Sequence, residues 1–224
     1  YICMKKIVFS GGGTAGHIYP NIAIMESLKD YEVHYIGSDG MEKQILKDFP
    51  KVKYHQIPTV KFDRTLLVKN FLIPFKLYKS VKQTKKLLQE IAPDIIFSKG
   101  GYVALPVALA AKKLNINLIT HESDLSLGLA NKIIARSAKV VCTTFYQTSK
   151  QNRKFIWTGQ PLRKQIFEGD KFKVLSKIGE QHKPILLFVG GSLGSKRIND
   201  LLKDPSFLTE NFIVLHAVGK NNIQ

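Results

Sequence analysis

Short runs of apolar and β-branched residues alternate along the chain with segments that have the spacing of helices. The runs are apolar on both faces of the pleat, which is typical of parallel strands covered by helices on both sides. Alternating strands and helices predict right-handed βαβ units and therefore a doubly wound α/β sheet. The predicted strands are 7–10, 32–37, 53–57, 94–98, 117–121, 139–145 and 154–159, and the first two predicted helices are about 18–28 and 41–49.

The same pattern restarts after Gly159-Gln160-Pro161, where we place a domain boundary. Two strands and one helix follow a basic helical stretch, and this is too little to complete a second doubly wound sheet. We therefore expect the second domain to be truncated at Gln224. The predicted strands in it are 184–191 and 211–219. The predicted domains are 4–160 and 161–224.

Composition and charge narrow the classes of protein. Of 224 residues, 44% are hydrophobic, which excludes a disordered or fibrous chain. Lys and Arg number 34 against 17 Asp and Glu, a net charge of +17 that indicates an anionic partner: nucleic acid, a phosphorylated ligand or anionic lipid. Cys3 and Cys142 have no neighbouring ligand cluster, so a zinc site or disulfide framework is not expected. No apolar run is long enough to cross a bilayer, and we take Met4 as the natural start.

Three glycine-rich turns follow predicted strands and precede predicted helices. They are 11–17 (GGGTAGH), 98–102 (SKGGY) and 190–195 (GGSLGS). In open α/β sheets ligands bind beyond the carboxyl ends of the strands, and N–H groups at a helix N-terminus attract phosphate. Any one turn alone is equally well explained as a tight βα connection. Three together, spread over two domains, favour a cleft that grips a diphosphate from both sides.

The first turn also fits the spacing G-x-G-x-x-G at Gly11, Gly13 and Gly16, which is typical of dinucleotide sites. Such a site requires an acidic residue at the end of the second strand. Glu32 lies at the wrong end of that strand, and Asp39 is the available substitute. A nicotinamide or flavin cofactor is therefore disfavoured, and we predict no cofactor.

Five segments resemble the motifs of the MurG family, in the same order along the chain: GGGTAGHIYPNIAI, FSKGGYVALPVALAA, HESDLSLGLANKIIA, TGQPLR and FVGGSLGSKRIN. Members of that family transfer N-acetylglucosamine from UDP-N-acetylglucosamine to undecaprenyl-diphosphate-linked muramoyl-pentapeptide in peptidoglycan synthesis. The resemblance implies two Rossmann-like domains that face a cleft (the GT-B fold). It assigns the acceptor to the first domain and the nucleotide sugar to the second.

The resemblance also implies roles for individual residues. His17 matches the proposed catalytic base, and no metal is implied. Two positions depart from the family pattern: Asp124 replaces an asparagine, which puts its acceptor contact in doubt, and Ala15 replaces a glycine. The implied acceptor-binding residues are Thr14, Gly16, Tyr102, Asp124 and Asn131. The implied residues that bind the sugar donor are Gly13, Thr14, Arg163 and Ser192.

The chemistry of an inverting transfer agrees with these residue types. A base must take the proton of the acceptor hydroxyl as that oxygen attacks the anomeric carbon. A histidine at a helix N-terminus is kept neutral by the helix dipole, which suits His17 to accept a proton. Arg163 and the N–H groups around Ser192 suit the charge that develops on the departing UDP. The alternative for His17 is a capping or structural role, and His121, on a predicted buried strand, is expected to be structural.

The segment 61–86 combines basic residues with apolar and aromatic ones, and Asp63 is its single acid. This composition suits an anionic membrane surface, and the family resemblance implies docking on the cytoplasmic membrane face. The alternative is a crossover helix whose apolar face packs on the sheet while its lysines are solvated. The residues predicted to contact the membrane are Lys69, Phe71, Leu72, Phe75, Lys76 and Lys79.

Two other functions stay open at this point. One is a different lipid-linked or small-molecule glycosyltransferase of the same two-domain fold. The other, from a different class, is a basic nucleic-acid-binding protein, which the net charge of +17 would suit. The chain has no identifiable RNA or DNA module, and its aromatic residues do not form a stacking platform, so we predict no nucleic-acid partner.

Overall fold

The computed structural model describes residues 4–59, 73–179, 182–191, 194–219 and 222. The chain divides into two compact units, one ending at Ile166 and the other beginning at Phe167. The division falls a few residues after the predicted boundary at 160/161. Each unit is described by itself.

Strands and helices alternate through the first unit. Its strands are β1 (Lys5–Ser10), β2 (Tyr31–Gly37), β3 (Lys53–Gln56), β4 (Ile95–Ser98), β5 (Leu118–Glu122), β6 (Val140–Thr143) and β7 (Phe155–Trp157). Its helices are α1 (Ala15–Met25), α2 (Met41–Ile45), α3 (Ile73–Ile91), α4 (Ala104–Lys113), α5 (Leu129–Ser137) and α6 (Tyr146–Ser149). Each predicted strand of this unit is present, which confirms the α/β class.

The strands form one parallel sheet in the order β3-β2-β1-β4-β5-β6-β7. The order reverses between β1 and β4, which is the switch point of a doubly wound sheet. Phe9 pairs with Phe97 and Ser10 with Ser98, so these two strands end level with each other. The loops that follow them therefore lie side by side, although almost ninety residues separate them in sequence.

Alternate residues of the strands are buried on opposite faces of the sheet, as a period of two requires. Val8 and Ile96 belong to the core that α3, α4 and α5 cover. Ile7, Phe9 and Tyr35 belong to the core that α1 and α2 cover. Burial on both faces confirms the interpretation of the strands as apolar on both sides.

Two predicted helices differ from the observed ones. The helix predicted at 18–28 is α1, which already begins at Ala15 and so places His17 in its first turn. The helix predicted at 41–49 ends at Ile45 and continues as a 3₁₀ turn, Leu46–Asp48. The 3₁₀ turn stops before Phe49, whose backbone is not helical, because Pro50 disfavours helical backbone in the residue before it.

The second unit contains α7 (Lys171–Ile178), β8 (Ile185–Val189), α8 (Lys196–Leu201), α9 (Ser206–Thr209) and β9 (Ile213–Ala217). The two strands pair in parallel, which confirms the pattern predicted for this segment. The turn between β8 and α8 includes Gly194 at a φ of +77°, where a β-carbon would lie 1.9 Å from the carbonyl oxygen of Val218. Only glycine fits that position.

Candidate functional site

The candidate site lies at the carboxyl edge of the sheet, where β1, β4 and β5 end. Three loops meet there: 11–14 after β1, 99–103 after β4 and 123–128 after β5. Because the first two flank the switch point, they occupy the position where open α/β sheets bind ligands.

His17 projects from the first turn of α1 and is held through one ring nitrogen. Its Nδ1 atom lies 3.1 Å from the carbonyl oxygen of Gly12 and 3.1 Å from Oγ1 of Thr14. A carbonyl oxygen can only accept a hydrogen bond, so Nδ1 carries the proton and Nε2 of the neutral ring has a free lone pair. Burial is the main cause that lowers the pKa of His17, and the positive charge of Lys99 adds to it. A neutral ring with a free Nε2 is suited to accept a proton.

Glycines let the second loop approach the first. Gly101 has a φ of +79°, and a β-carbon there would lie 3.1 Å from the oxygen of Gly12 and 3.3 Å from Nδ1 of His17. Gly13 has a φ of +81°, and a β-carbon there would lie 2.6 Å from the ring of Tyr102. The two loops thus pack directly on each other, with the half-buried Tyr102 covering the first one. Burial, with a smaller contribution from Glu42, raises the pKa of the Tyr102 phenol.

A buried carboxylate that the sequence analysis missed lies under the first loop. Glu42, in α2, has no exposed surface and accepts the backbone N–H of Ser38 at 2.8 Å and that of Gly13 at 3.4 Å. It also accepts the Ser38 hydroxyl. The available signal was an acid in the first turn of the helix after the second strand, a favourable place for negative charge. Because Gly13 donates to this internal anion, its predicted contact with the sugar donor stays a prediction.

The third loop is organised by a second buried carboxylate, Glu122, at the end of β5. It accepts from the backbone N–H of Asp124 at 3.0 Å, from that of Gly128 at 3.1 Å and from Nδ2 of Asn131 at 2.9 Å. Asp124 is exposed, whereas Asn131 is buried and lies against Gly100. Asn131 thus holds the loop from beneath, and a direct contact with an acceptor stays a prediction.

Lys99, in the second loop, is another functional candidate that the sequence analysis did not single out. Its side chain is 1% exposed and donates to Oγ of Ser123. Burial lowers its pKa to about 8, against the opposing effects of Glu122 and Asp124. Its position in the SKGGY turn was visible in the sequence, but its burial was not.

The segment that follows β7 belongs to the first unit and packs on the loops after β5 and β6. Oε1 of Gln160 accepts the hydroxyls of Ser123 at 2.8 Å and Thr144 at 2.9 Å, and the oxygen of Gly159 lies 2.9 Å from Nε2 of His121. The guanidinium of Arg163 stacks on the ring of Tyr19 at 4.2 Å. These contacts explain why the compact unit continues past the predicted boundary. His121 is buried on β5, as predicted for that strand, and its structural role stays a prediction.

The structure brings Thr14, His17 and Tyr102 together at the switch point, and Gly16 lies in the first turn of α1 next to them. The charge of Asp124 reaches His17 from the third loop. Ser192 lies outside the described residues. Among the described residues, no group of three or more His, Cys, Asp or Glu side chains is placed to hold a metal.

The predicted membrane segment is described from Ile73 onward, as α3. Lys69, Phe71 and Leu72 lie outside the described residues. Phe75, Lys76 and Lys79 are exposed, while Val81 and Leu88 are buried against the sheet. The crossover-helix alternative is therefore correct for one face of α3. None of the described helices is both long and apolar enough to cross a membrane.

Comparison with known proteins places this site in a family. Residues 7–143 match the glycosyltransferase family 28 N-terminal domain. Two relatives, from Lachnoclostridium phytofermentans and Clostridium tetani, are 45% and 43% identical over 98% of this chain. Both are named UDP-N-acetylglucosamine–N-acetylmuramyl-(pentapeptide) pyrophosphoryl-undecaprenol N-acetylglucosamine transferase.

The crystal structure of Acinetobacter baumannii MurG is similar over 97% of this chain, with 28% identity and a TM-score of 0.72. The chain spans about 64% of the length of the Lachnoclostridium relative and 59% of the crystallised MurG chain. The motifs, the parallel sheet with its glycine loops and these comparisons agree. The chain therefore belongs to glycosyltransferase family 28, and its resemblance to the MurG family is confirmed.

Proposed function

We propose that the protein containing this chain transfers N-acetylglucosamine from UDP-N-acetylglucosamine to an undecaprenyl-diphosphate-linked muramoyl-pentapeptide, with inversion at the anomeric carbon. The observation that carries the proposal is the neutral ring of His17, whose free Nε2 lies at the switch point of a family 28 domain. The names of the relatives from Lachnoclostridium phytofermentans and Clostridium tetani supply the substrates.

In the proposed reaction, His17 is the general base. Its Nε2 takes the proton of the acceptor hydroxyl, whose oxygen forms the new bond to the anomeric carbon. The bond from that carbon to the UDP oxygen breaks, and UDP leaves with the electron pair. The imidazolium then donates from Nδ1 to the oxygen of Gly12, and the negative charges of Glu122 and Asp124 favour it.

The acceptor-side residues surround His17. The Thr14 hydroxyl lies 3.1 Å from Nδ1 of His17, and the ring of Tyr102 lies against Gly13 in the same loop. Gly16 precedes His17 in the first turn of α1, and the charge of Asp124 reaches the ring from the third loop. We propose that Thr14, Gly16, Tyr102 and Asp124 bind the acceptor. Asn131 supports them from below by its hydrogen bond to Glu122.

The sugar donor is proposed to bind through its diphosphate. Arg163 offers a charged fork that suits phosphate oxygens, and its stacking on Tyr19 restricts the positions that the fork can take. Ser192 and its neighbouring N–H groups are proposed to contact the same diphosphate. Gly13 and Thr14 are proposed to approach the donor from the first domain.

The lipid-linked acceptor requires contact with a membrane, and we propose that the protein is peripheral on the cytoplasmic face. The exposed face of α3 supports this, because Phe75 and Tyr78 stand beside Lys76 and Lys79 there. Aromatic side chains enter the interface, and lysines attract anionic lipid.

A transfer assay tests the proposal. The complete gene product is incubated with labelled UDP-N-acetylglucosamine and a synthetic lipid-diphosphate muramoyl-pentapeptide, and the lipid product is separated. We expect a labelled disaccharide lipid whose new linkage is β. Binding of the nucleotide sugar without transfer to this acceptor would favour the alternative, a transferase for a different acceptor.

A further inference from the structure

Lys99 is a buried cation for which the proposed mechanism provides no role. Lys99 is 1% exposed. Burying its ammonium group costs free energy unless the group is hydrogen-bonded and faces opposite charge. Lys99 meets both conditions: it donates to Ser123, and Glu122 and Asp124 lie near enough to favour its charged form. A side chain maintained at this cost has a structural or functional reason.

The first carbon of the Lys99 side chain lies against the first glycine loop. A β-carbon at Gly11 would lie 3.0 Å from Cβ of Lys99 and 2.9 Å from the carbonyl oxygen of His17. Gly11 is thus enclosed between the backbone of His17 and the stem of Lys99. The strand pairing brings them together, because Ser10 and Ser98 are partners in β1 and β4.

From this position the ammonium group begins a chain of hydrogen bonds across the edge of the sheet. Lys99 donates to Ser123, Ser123 donates to Gln160 at 2.8 Å, and Thr144 donates to the same Gln160 oxygen at 2.9 Å. The chain connects the loops after β4, β5 and β6 with the segment that carries Arg163. Removing its first donor therefore affects several loops.

Lys99 also supplies charge to the site. The groups that face it are His17, His121, Glu122 and Asp124. Its positive charge opposes protonation of both histidines, while the two carboxylates favour protonation of His17. The protonation of His17 therefore depends on one nearby cation, Lys99, and on two nearby anions, Glu122 and Asp124.

We propose that Lys99 is a positioning residue of this site, which holds Ser123 and Gln160 in place and fixes a positive charge beneath the loop that carries His17. The inference deepens the proposed function, since it rests on His17 as the base. Lys99 itself contacts neither the acceptor nor the reacting atoms. Its charge keeps His17 neutral, and its hydrogen bond to Ser123 holds the third loop in place beside the first.

The test is an NMR titration of His17 in the 224-residue chain labelled in its histidines. In Lys99→Met we expect the titration midpoint of His17 to move to higher pH, because an opposing charge is lost. Lys99→Arg keeps the charge and is expected to leave the midpoint near that of the unchanged chain. A folded Lys99→Met with an unchanged midpoint would overturn the proposal.

Two further variants separate the effect of the Lys99 charge from the effect of its hydrogen bonds through Ser123 to Gln160. Lys99→Gln retains a donor for Ser123, so it replaces Lys99→Met if that variant does not fold, with the same shift expected. Ser123→Ala keeps the charge but breaks the chain of hydrogen bonds. It should leave the His17 midpoint in place and move the amide resonances of Gly159 and Gln160, and unmoved resonances would exclude the tether.

Enzyme kinetics measure whether the charge of Lys99 affects the transfer reaction. In the complete gene product, Lys99→Met should move the acidic limb of the kcat pH profile to higher pH, and Lys99→Arg should restore it. If no transfer is found at all, the proposed function fails, while the NMR titration still decides the role of Lys99. A kcat loss without any movement of the limb would leave only a structural role and contradict the inference.

Discussion

The carboxylate of Glu42 lies against Gly12, close enough that a β-carbon on that glycine would be 2.6 Å from Cδ of Glu42. The same carboxylate accepts the N–H of Gly13 and two groups of Ser38. One face of the first glycine loop is therefore occupied by an anion of the protein itself. We expect the conformation of the loop to depend on this contact.

Replacing Glu42 by Gln should destabilise the fold. The amide keeps the shape but cannot accept all of these hydrogen bonds, so we expect a loss of about 1.5–3 kcal/mol, the usual range for bonds to a charged group. Urea unfolding of the chain measures this. Asp39→Asn, on an exposed carboxylate close by in sequence, is the control and should change stability little. Equal stability of both variants would show that the Glu42 contacts are not needed.

Removing the base should affect the chemical step. In the complete gene product, His17→Ala is expected to lower kcat by ~10²–10⁴, with little change in KM for the nucleotide sugar. The exposed His182 provides the control, since His182→Ala should retain kcat. If His17→Ala keeps the original kcat at saturating acceptor, the histidine only orders the loop, and Asp124 becomes the next candidate base.

The stacking of Arg163 on Tyr19 should matter for the sugar donor. Arg163→Ala is expected to weaken UDP-N-acetylglucosamine binding about 10- to 100-fold, the loss of charged hydrogen bonds to the diphosphate. Tyr19→Leu removes only the stacking and should cost about two- to five-fold. Tyr19→Phe keeps the ring and is the control. Calorimetric titration of the complete gene product measures all three, and undiminished binding by Arg163→Ala would exclude the assigned role.

Membrane binding should depend on the exposed aromatic residues of α3. The double variant Phe75→Ser and Tyr78→Ser leaves the net charge unchanged and should sediment less with phosphatidylglycerol–phosphatidylcholine vesicles. Phe172→Ser is the matched control, because Phe172 is 80% exposed against 70% for Phe75 and, like Phe75, directly precedes a lysine in a basic helix. Added salt should weaken binding of all forms by screening the lysines. Binding equal to that of the Phe172 control would mean that charge alone suffices.

Buried histidines should make the fold acid-sensitive. Burial lowers the pKa of His121 to about 4, so the neutral form is favoured in the folded state. The unfolded chain binds the proton more readily, hence stability is fully present above about pH 6.5 and is lost as pH falls toward 4. His34 and His55, which lie 2.9 Å apart between Nδ1 and Nε2, have lowered pKa values for the same main reason and add to the loss.

Urea unfolding at pH 7 and pH 4.5 measures this dependence. His121→Gln removes one titrating group, so the difference in stability between the two pH values should be smaller than in the unchanged chain. The exposed His182→Gln should leave the difference as it was. An identical difference in all three proteins would show that His121 does not contribute.

Hydrophobic periodicity in the sequence determined the α/β class and the strands, and the clustered glycines determined the three glycine-rich turns. These features depend only on neighbouring residues. The glycines were placed in turns by the sequence, and the structure shows Gly13 and Gly101 at positive φ; the resemblance around His17 marked the candidate base. These features are local: a pleat alternates every two residues, and a left-handed turn requires glycine wherever it occurs.

Only the tertiary structure decided which loops meet. The order of strands puts β1 beside β4, and this pairing places Lys99 beneath Gly11 and Gly101 against His17. The tertiary fold also buries Lys99 and Glu42, two charged residues that a pattern of polar positions would assign to solvent. Burying such a charge is favourable only where partners are supplied: Ser123, Glu122 and Asp124 for Lys99, and the N–H of Gly13 together with Ser38 for Glu42. Except for Ser38, these partners come from segments distant in sequence, which a local pattern cannot reveal.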